Sequence, residues 1–266
     1  MKTENYIAIN KESWNKRTEF HIESDFYDMD AFKEGKTSLK TIELALLGDV
    51  KGKRILHLQC HFGQDSLSLA RMGAKITGID LSDKAIVAAK TLNKELNLDA
   101  EFIVSDVYDL PNHLKGEFDI VYTSYGVIGW LPDMDKWGEI ISHYLKPNGQ
   151  FVFVEFHPNV WMYDDDFKAV TYNYFKTEPI VEEEQGTYAD KNTQVEFKYV
   201  CWNHGLSEVM SGLLSNGIEI TDFKEYNYSP YDCFSHTKKI EERKYQIKPF
   251  GDKMPLCYSI VAHKKN

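Results

Sequence analysis

The sequence of 266 residues is poor in cysteine, and the cysteines it has are scattered. Cys60, Cys201, Cys233 and Cys257 show neither the close pairing of a zinc site nor the density of a small disulfide framework. We therefore expect reduced thiols, no metal site and a cytoplasmic protein. Internal repeats, low-complexity tracts and flexible linkers are also missing. A single α/β domain with an appended cap is the expected organisation.

The chain also lacks an excess of positive charge, because its net charge is −10. Binding to nucleic acid or anionic lipid usually needs a basic surface, so we expect neither partner. No apolar run approaches the ~18 residues of a membrane-spanning helix, and residues 1–15 lack the apolar core of a signal peptide. A local basic cluster between Lys238 and Lys244 is interrupted by glutamates and is predicted to be the solvated face of a helix.

What the chain does have is a regular alternation of strands and helices. Short apolar strands are predicted at seven places: 55–58, 75–79, 102–104, 119–123, 151–156, 218–228 and 256–262. Ser82 and Asp133 are predicted to cap two of the intervening helices, and Ser207 is predicted to cap the helix before the last two strands. The pattern predicts an α/β fold with a doubly wound, seven-stranded, mostly parallel Rossmann-like sheet.

An aromatic segment, residues 158–204, interrupts this alternation and is predicted to be a β-rich insertion after the fifth strand. We divide the chain into an N-terminal helical segment that serves as a cofactor lid (1–53), a cofactor-binding core (54–157), the insertion (158–204) and the completion of the core sheet (205–266). Ligands bind at the carboxyl edge of such sheets, so the insertion is either a lid or a dimer element. Its run from Glu182 to Glu184 is predicted to be a solvated turn rather than a metal site.

The turn after the first strand indicates which cofactor the core binds. A dinucleotide needs Gly-x-Gly-x-x-Gly at this turn, but only Gly63 is present, and Asp65 would repel a pyrophosphate. S-adenosylmethionine has no phosphate and carries a sulfonium and an ammonium group, so an acidic loop suits it better. Asp80, after the second strand, is placed to accept hydrogen bonds from ribose hydroxyls, and Asp106, after the third, to accept one from the adenine amine.

At this point the chain resembles the class I S-adenosylmethionine-dependent methyltransferases, over roughly residues 54–158. It is most similar to a bacterial branch that carries the turn Leu-His-Leu-Gln-Cys-His-Phe-Gly-Gln-Asp at 56–65. Further strings of that branch occur at 124–126, 130–133 and 155–158. The commoner turn of the class is acidic-x-Gly-x-Gly-x-Gly. Here His57, Gln59 and His61 occupy the acidic and the first two glycine places.

The resemblance implies a set of cofactor-binding positions. It places the methionine moiety by the turn that contains Gln59, Cys60, His61 and Gly63. It places ribose on Asp80 with Leu81 against adenine, the adenine edge near Asp106 and Val107, and the transferable methyl group beside Ser124 and Tyr125. It also allows Trp14 to fold over the cofactor, although Trp14 is equally suited to anchor its segment on the sheet.

Methyl transfer to a protonated oxygen or nitrogen requires a base, and His157 and His204 are the candidates. The expected reaction is transfer of a methyl group to an unidentified small-molecule acceptor, with S-adenosylhomocysteine as the other product. A homodimer is one option for the assembly. Two alternatives remain open: a noncatalytic module that binds S-adenosylmethionine or a protein partner, and an NAD-dependent oxidoreductase.

Overall fold

The computed structural model of the chain describes residues 5–189 and 194–265. Seven α-helices form within them: α1 (Tyr6–Glu23), α2 (Met29–Lys33), α3 (Thr41–Leu47), α4 (Gln64–Arg71), α5 (Asp83–Glu95), α6 (Met134–Tyr144) and α7 (Leu206–Ser215). The same residues contain eleven β-strands: β1 (Arg54–Leu58), β2 (Lys75–Asp80), β3 (Glu101–Val104), β4 (Phe118–Ser124), β5 (Leu145–Phe156), β6 (Ile180–Gln185), β7 (Glu196–Cys201), β8 (Ile218–Tyr226), β9 (Thr237–Glu241), β10 (Lys244–Ile247) and β11 (Cys257–Lys264).

Seven of the strands form the main sheet, in the order β3-β2-β1-β4-β5-β11-β8. Strands β1 to β5 run parallel to one another, whereas β11 runs antiparallel to both of its neighbours, β5 and β8. The prediction of a doubly wound, seven-stranded, mostly parallel sheet is therefore confirmed. The strand order reverses between β1 and β4, so the loops that follow these two strands border a crevice at the carboxyl edge.

Two of the three predicted helix caps are present. The Ser82 hydroxyl accepts a hydrogen bond from the Ala85 N–H (3.0 Å), and the Asp133 carboxylate accepts from the first turn of α6. The prediction for Ser207 is wrong, because α7 begins at Leu206 and Gly205 precedes it without a side-chain cap. The Leu206 N–H instead donates to the Tyr174 hydroxyl (3.1 Å), so a distant residue caps this helix.

Between strands of the main sheet, the chain twice forms a separate antiparallel hairpin. Within residues 158–204, β6 pairs with β7, and the three glutamates lie in β6, so the predicted turn is wrong. Between β8 and β11 a second excursion, residues 227–256, contains the hairpin β9–β10. The basic cluster between Lys238 and Lys244 lies in this hairpin, so the prediction that it forms one face of a helix is also wrong. The chain reverses at Arg243, whose φ of 54° is a turn conformation.

The four cysteines are free, and two of them, Cys60 and Cys257, are buried. None of the helices in the described part of the chain is long and apolar enough to cross a membrane.

Candidate active site

A cavity of about 1160 Å³ opens at the carboxyl edge of the sheet. Pockets for one drug-sized ligand measure about 300–1,000 Å³, so this cavity has room for a cofactor and a second molecule. The eleven residues that the sequence analysis assigned to cofactor binding all line it: Trp14, Gln59, Cys60, His61, Gly63, Asp80, Leu81, Asp106, Val107, Ser124 and Tyr125. Of the two proposed bases, His204 lines the cavity and His157 does not.

The turn after β1, residues 59–63, keeps glycine-like backbone angles without the usual glycines. φ is 55° at Gln59, 52° at His61 and 82° at Gly63. The first two are the places where the commoner turn of the class has glycine, so the backbone shape is retained at a cost of about 1–3 kcal/mol per strained residue. A Cβ atom at Gly63 would come within 2.8 Å of the Phe102 ring, which explains why glycine remains there.

Asp80 fixes this turn and remains accessible from the cavity. Its Oδ2 accepts a hydrogen bond from the His61 N–H (2.8 Å), and its Oδ1 accepts one from the Ser82 N–H (2.8 Å). Burial raises the pKa of the carboxyl to about 6, and these backbone hydrogen bonds act in the opposite direction. Each carboxylate oxygen has a second lone pair, so Asp80 can also accept hydrogen bonds from ligand hydroxyl groups.

Two side chains of the turn have buried polar atoms without a partner. The Gln59 amide nitrogen donates to the Val127 carbonyl (2.8 Å). Its Oε1 has no hydrogen-bond partner among the described residues, and neither has Nε2 of His61. Burial lowers the pKa of His61 to about 3, so its imidazole is neutral at physiological pH. An unsatisfied buried polar atom costs about 1–3 kcal/mol, so these atoms indicate where polar groups of a ligand belong.

Asp106 provides a further carboxylate at the same edge. Its Oδ1 accepts a hydrogen bond from the Tyr108 N–H (2.8 Å), and burial raises the pKa of the carboxyl above its usual value. Asp80 and Asp106 therefore follow neighbouring strands, as the sequence indicates, and line the same cavity.

The turn after β4, residues 124–128, is held by Glu155, a residue that the sequence analysis did not single out. Its carboxylate accepts hydrogen bonds from the N–H groups of Gly126, Val127 (2.8 Å), Ile128 (3.2 Å) and Phe156 (2.6 Å). These four donors stabilise a reversal in which Tyr125 has a φ of 51°. The sequence signal was a single glutamate within the otherwise apolar end of β5.

Helix α1 and the β6–β7 hairpin together cover the cavity. The Asn10 side-chain amide donates to the Val200 carbonyl and accepts from the Val200 N–H, both at 2.8 Å. The Trp14 ring makes edge contacts with His61 (5.3 Å between centroids) and Trp130 (5.2 Å), and the Asn15 amide oxygen accepts from the Ser82 hydroxyl (2.7 Å). Trp14 therefore touches both the turn after β1 and the loop after β4.

Two buried titratable residues behind the cavity wall were also missed. His21 is fully buried, neither of its ring nitrogens has a hydrogen-bond partner within residues 5–189 and 194–265, and burial lowers its pKa to about 2. Glu43 accepts hydrogen bonds from the Lys40 N–H (2.6 Å) and the Tyr125 hydroxyl (2.8 Å), and burial, with the Asp65 charge, raises its pKa to about 7. Glu43 thus positions Tyr125, and the local sequence pattern did not predict this contact.

His157 is engaged away from the cavity. Its Nδ1 accepts a hydrogen bond from the Asn159 N–H (3.2 Å), and its Nε2 lies 2.9 Å from a Glu225 carboxylate oxygen on β8. Because Nδ1 is an acceptor, Nε2 carries the ring proton and donates to Glu225. Burial lowers the pKa of His157, although Glu225 opposes this shift. With both nitrogens occupied outside the cavity, His157 does not have the placement that a base would need.

His204 borders the cavity, but its imidazole also faces protein groups. Its Nε2 lies 2.8 Å from the Leu131 carbonyl, to which it donates. Its Nδ1 lies 3.1 Å from a Glu208 carboxylate oxygen, and Glu208 also pairs with Lys176 (2.7 Å). The ring therefore connects the start of α7 to the loop after β4, while its Nδ1 is buried and has no hydrogen-bond partner among the described residues.

These residues fit S-adenosylmethionine. The unsatisfied atoms of Gln59 and His61 lie in the turn assigned to the methionine moiety, and Asp80 and Asp106 follow the strands assigned to ribose and adenine. A pyrophosphate would instead meet Asp65 at the start of α4. The donor set therefore suits a sulfonium nucleoside better than a dinucleotide.

Residues 55–149 match the family model of the methyltransferase domain. An uncharacterised methyltransferase of Synechocystis sp. is 33% identical over 149 residues, which cover 54% of this chain and 66% of that protein. A ubiquinone biosynthesis O-methyltransferase of Bordetella avium is 30% identical over 114 residues, covering 43% of this chain and 47% of that protein. The matching region thus spans between about half and two thirds of these relatives.

The fold agrees with this domain match. An S-adenosylmethionine-dependent methyltransferase from Clostridium acetobutylicum superposes with a TM-score of 0.59 at 15% identity, over 95% of this chain and 99% of that one. The order of the seven strands, with a cavity at their carboxyl edge, matches the Rossmann-like fold of S-adenosylmethionine-dependent methyltransferases. Residues 55–149 are therefore similar to a methyltransferase domain, and the fold of the chain is similar to that of S-adenosylmethionine-dependent methyltransferases.

Proposed function

We propose that the protein transfers a methyl group from S-adenosylmethionine to a small-molecule acceptor, with both molecules bound in the cavity at the carboxyl edge of the sheet. The observation that carries the proposal is the turn after β1. There the Asp80 carboxylate lines the cavity with acceptor capacity to spare, beside the unsatisfied polar atoms of Gln59 and His61. The relative from Bordetella avium supports oxygen as the methylated atom, because its name states an O-methyltransferase.

In this proposal Asp80 accepts hydrogen bonds from the ribose hydroxyls, and Leu81 packs against adenine. Asp106 and Val107 border the adenine edge, and the turn with Gln59, Cys60, His61 and Gly63 binds the methionine moiety. Ser124 and Tyr125 border the methyl group, and Trp14 closes the cofactor end from α1. Support comes from the cavity, which all of these residues line.

When bound, S-adenosylmethionine supplies an activated methyl group. The chain's contribution is to align the acceptor and to exclude water. Glu155 fixes the turn after β4, and Glu43 fixes the Tyr125 ring, so the wall beside the methyl group is held rigidly. We assign no base to either histidine, since both ring nitrogens of His157 are bonded outside the cavity and the His204 ring is buried with its Nε2 bonded to a backbone carbonyl.

The N-terminal segment (1–53) and the insertion (158–204) form the lid in this proposal. Asn10 joins α1 to β7, Arg17 pairs with Glu184 (3.2 Å), and Tyr27 and Tyr188 share a hydrogen bond (2.6 Å). A cytoplasmic location agrees with the two buried free thiols. A homodimer is a separate proposal, and size-exclusion chromatography with light scattering tests it.

Calorimetric titration with S-adenosylmethionine, S-adenosylhomocysteine and NAD tests the cofactor. The expected result is saturable binding of both sulfur compounds and none of NAD. Binding of NAD alone would refute the proposal. Incubation with methyl-labelled S-adenosylmethionine and candidate phenols and carboxylic acids then tests turnover. Binding without methylated product across that panel would favour the noncatalytic module.

A further inference from the structure

Two positively charged side chains in the cavity wall have no ion-pair partner. Four lysine or arginine residues in the described part of the chain line the cavity: Arg17, Lys36, Lys40 and Arg243. Arg17 pairs with Glu184 at 3.2 Å, and Lys36 pairs with Asp28 at 2.6 Å. Among the described residues, no carboxylate lies within ion-pair distance of Lys40 or Arg243. In a chain with a net charge of −10, two such cations in one wall require an explanation.

Lys40 and Arg243 come from distant segments but meet at the same place. Lys40 directly precedes α3, and its Nζ lies 4.5 Å from the centre of the Tyr231 ring. Arg243 lies at the turn of the β9–β10 hairpin, and its Nη1 donates to the Leu39 carbonyl, the residue before Lys40 (3.5 Å). Burial and the Arg243 charge lower the pKa of Lys40, and Asp65 opposes this.

The nearby carboxylates have other partners. An oxygen of Asp65 accepts a hydrogen bond from the Ser38 hydroxyl (2.5 Å), and Glu43 accepts from the Lys40 N–H and the Tyr125 hydroxyl. The Arg243 charge acts against the protonated form of Lys40, because like charges that are partly out of water repel each other. An anion placed between them would remove that repulsion and gain charge-assisted hydrogen bonds.

An aromatic wall continues from these cations toward the assigned methyl position. The Tyr231 ring lies 5.1 Å from Tyr125, and Tyr125 lies 5.7 Å from Phe156. Phe156 in turn contacts Phe234 (5.1 Å) and Trp161 (5.8 Å). Flat aromatic side chains favour stacked or edge contacts with another ring. The wall therefore has an apolar region suited to a planar ring, with a cationic region beside it.

We propose that the methyl acceptor is an aromatic carboxylic acid, with its ring against Tyr125, Phe156 and Tyr231 and its carboxylate between Lys40 and Arg243. This inference rests on the proposed function, because it assigns the part of the cavity that the cofactor leaves free. A singly charged carboxylate fits better than a phosphate dianion, since Asp65 and Glu43 lie close to the same cations. The methionine carboxylate of the cofactor has the same chemistry, and the experiment separates the two sources.

The test compares matched ligands by calorimetry on protein saturated with S-adenosylhomocysteine. The pairs are 4-hydroxybenzoate with 4-hydroxybenzyl alcohol, and 4-hydroxyphenylacetate with 2-(4-hydroxyphenyl)ethanol. At least one acid is expected to bind about tenfold more tightly than its alcohol, as a charge-assisted contact implies. Lys40→Gln and Arg243→Gln are each expected to remove most of this preference. Lys84→Gln is the control, because Lys84 is paired with Glu19 and does not line the cavity, and it should leave the preference intact.

Three outcomes would overturn the inference. The first is that neither acid binds more tightly than its alcohol. The second is that the preference survives both substitutions. The third is that either substitution weakens S-adenosylhomocysteine binding more than about threefold, which would assign these cations to the cofactor.

Two controls distinguish the loss of the acid subsite from a loss of cofactor binding and from misfolding of a variant. The acid–alcohol comparison is repeated without S-adenosylhomocysteine, so a failure of cofactor binding is seen separately from a failure of the acid subsite. Lys40→Arg keeps the charge and should keep the preference, while thermal unfolding by circular dichroism verifies that each variant is folded.

Discussion

The turns after β1 and β4 lie on either side of the same crevice, yet they are fixed in opposite ways. In the turn after β4, the Glu155 carboxylate accepts hydrogen bonds from four backbone N–H groups, so its acceptor positions are filled by the protein's own chain. The turn after β1 is held through one backbone N–H by Asp80 and leaves polar atoms of Gln59 and His61 unsatisfied. A carboxylate whose acceptors are filled serves stability, whereas one with spare capacity beside unsatisfied atoms serves a ligand.

Removing Glu155 should give the largest effect on stability. In Glu155→Ala the four N–H groups lose their acceptor, and we expect a loss of about 3–5 kcal/mol in the free energy of unfolding. Urea denaturation measures it. Glu219→Ala, an exposed glutamate on β8, is the control and should change stability by less than about 0.5 kcal/mol. A loss below about 1 kcal/mol for Glu155→Ala would contradict the assigned role.

Removing Asp80 should affect the ligand more than the fold. Asp80→Ala is expected to weaken S-adenosylhomocysteine binding by about 10- to 100-fold, since hydrogen bonds to a charged group contribute about 1.5–3 kcal/mol. Calorimetry measures the affinity. Asp83→Ala is the matched control, because Asp83 lies three residues later, bonds to Asn15 and does not line the cavity. Equal affinities for wild type and Asp80→Ala would remove the contrast between the two turns.

The pH dependence of S-adenosylhomocysteine binding should reflect the ionisation of the Asp80 carboxyl group. Its pKa of about 6 means that the ionised form, the better acceptor for hydroxyl groups, is lost as the pH falls. Affinity for S-adenosylhomocysteine is expected to fall about tenfold from pH 7 to pH 5. In Asp80→Asn the affinity should change little between pH 7 and pH 5. Equal affinities of the wild-type protein at the two pH values would contradict this prediction.

The same pKa has an opposite consequence for the unliganded protein. Burial raises the Asp80 pKa above its ordinary value of 3.8. Between about pH 4 and pH 6 the folded state therefore binds more protons than the unfolded state. This group accordingly lowers the stability of the unliganded protein as the pH rises through that window.

The smallest effect is expected at His157, which belongs to neither turn. Glutamine can replace both of its hydrogen bonds, to Asn159 and Glu225, so His157→Gln should keep kcat within about threefold of wild type once an acceptor is known. Steady-state kinetics measures it. A loss of about a hundredfold or more would restore His157 as a candidate base.

The sequence was most informative where a signal is local. Ser82 and Asp133 cap their helices through contacts two or three residues away, and Asp80 follows from the place where an apolar strand ends. Ser207 was misassigned because the acceptor that replaces it belongs to Tyr174 in another segment. Contacts between residues that are distant in the sequence cannot be inferred from the local sequence pattern.

The same limit explains what was missed at the site. Glu155 binds a loop about 28 residues earlier, and Glu43 binds Tyr125 from 82 residues away, so neither role can be read from neighbouring residues. The β9–β10 hairpin was taken for a helix because its turn contains Glu242 and Arg243 rather than the usual glycine or asparagine. The positive φ angles of Gln59 and His61 are likewise unusual for those residue types.

The polar attachment of α1 has a consequence for the order in which the protein folds during synthesis. The buried residues of α1 are all polar: Asn10, Ser13, Arg17, Thr18 and His21. Such a helix has no apolar face with which to collapse on its own. The partner of Asn10 lies 190 residues later. At roughly 5–20 residues per second, the ribosome needs on the order of 10–40 s to supply it. Helix α1 is therefore expected to dock only after strands β1 to β5 have been synthesised.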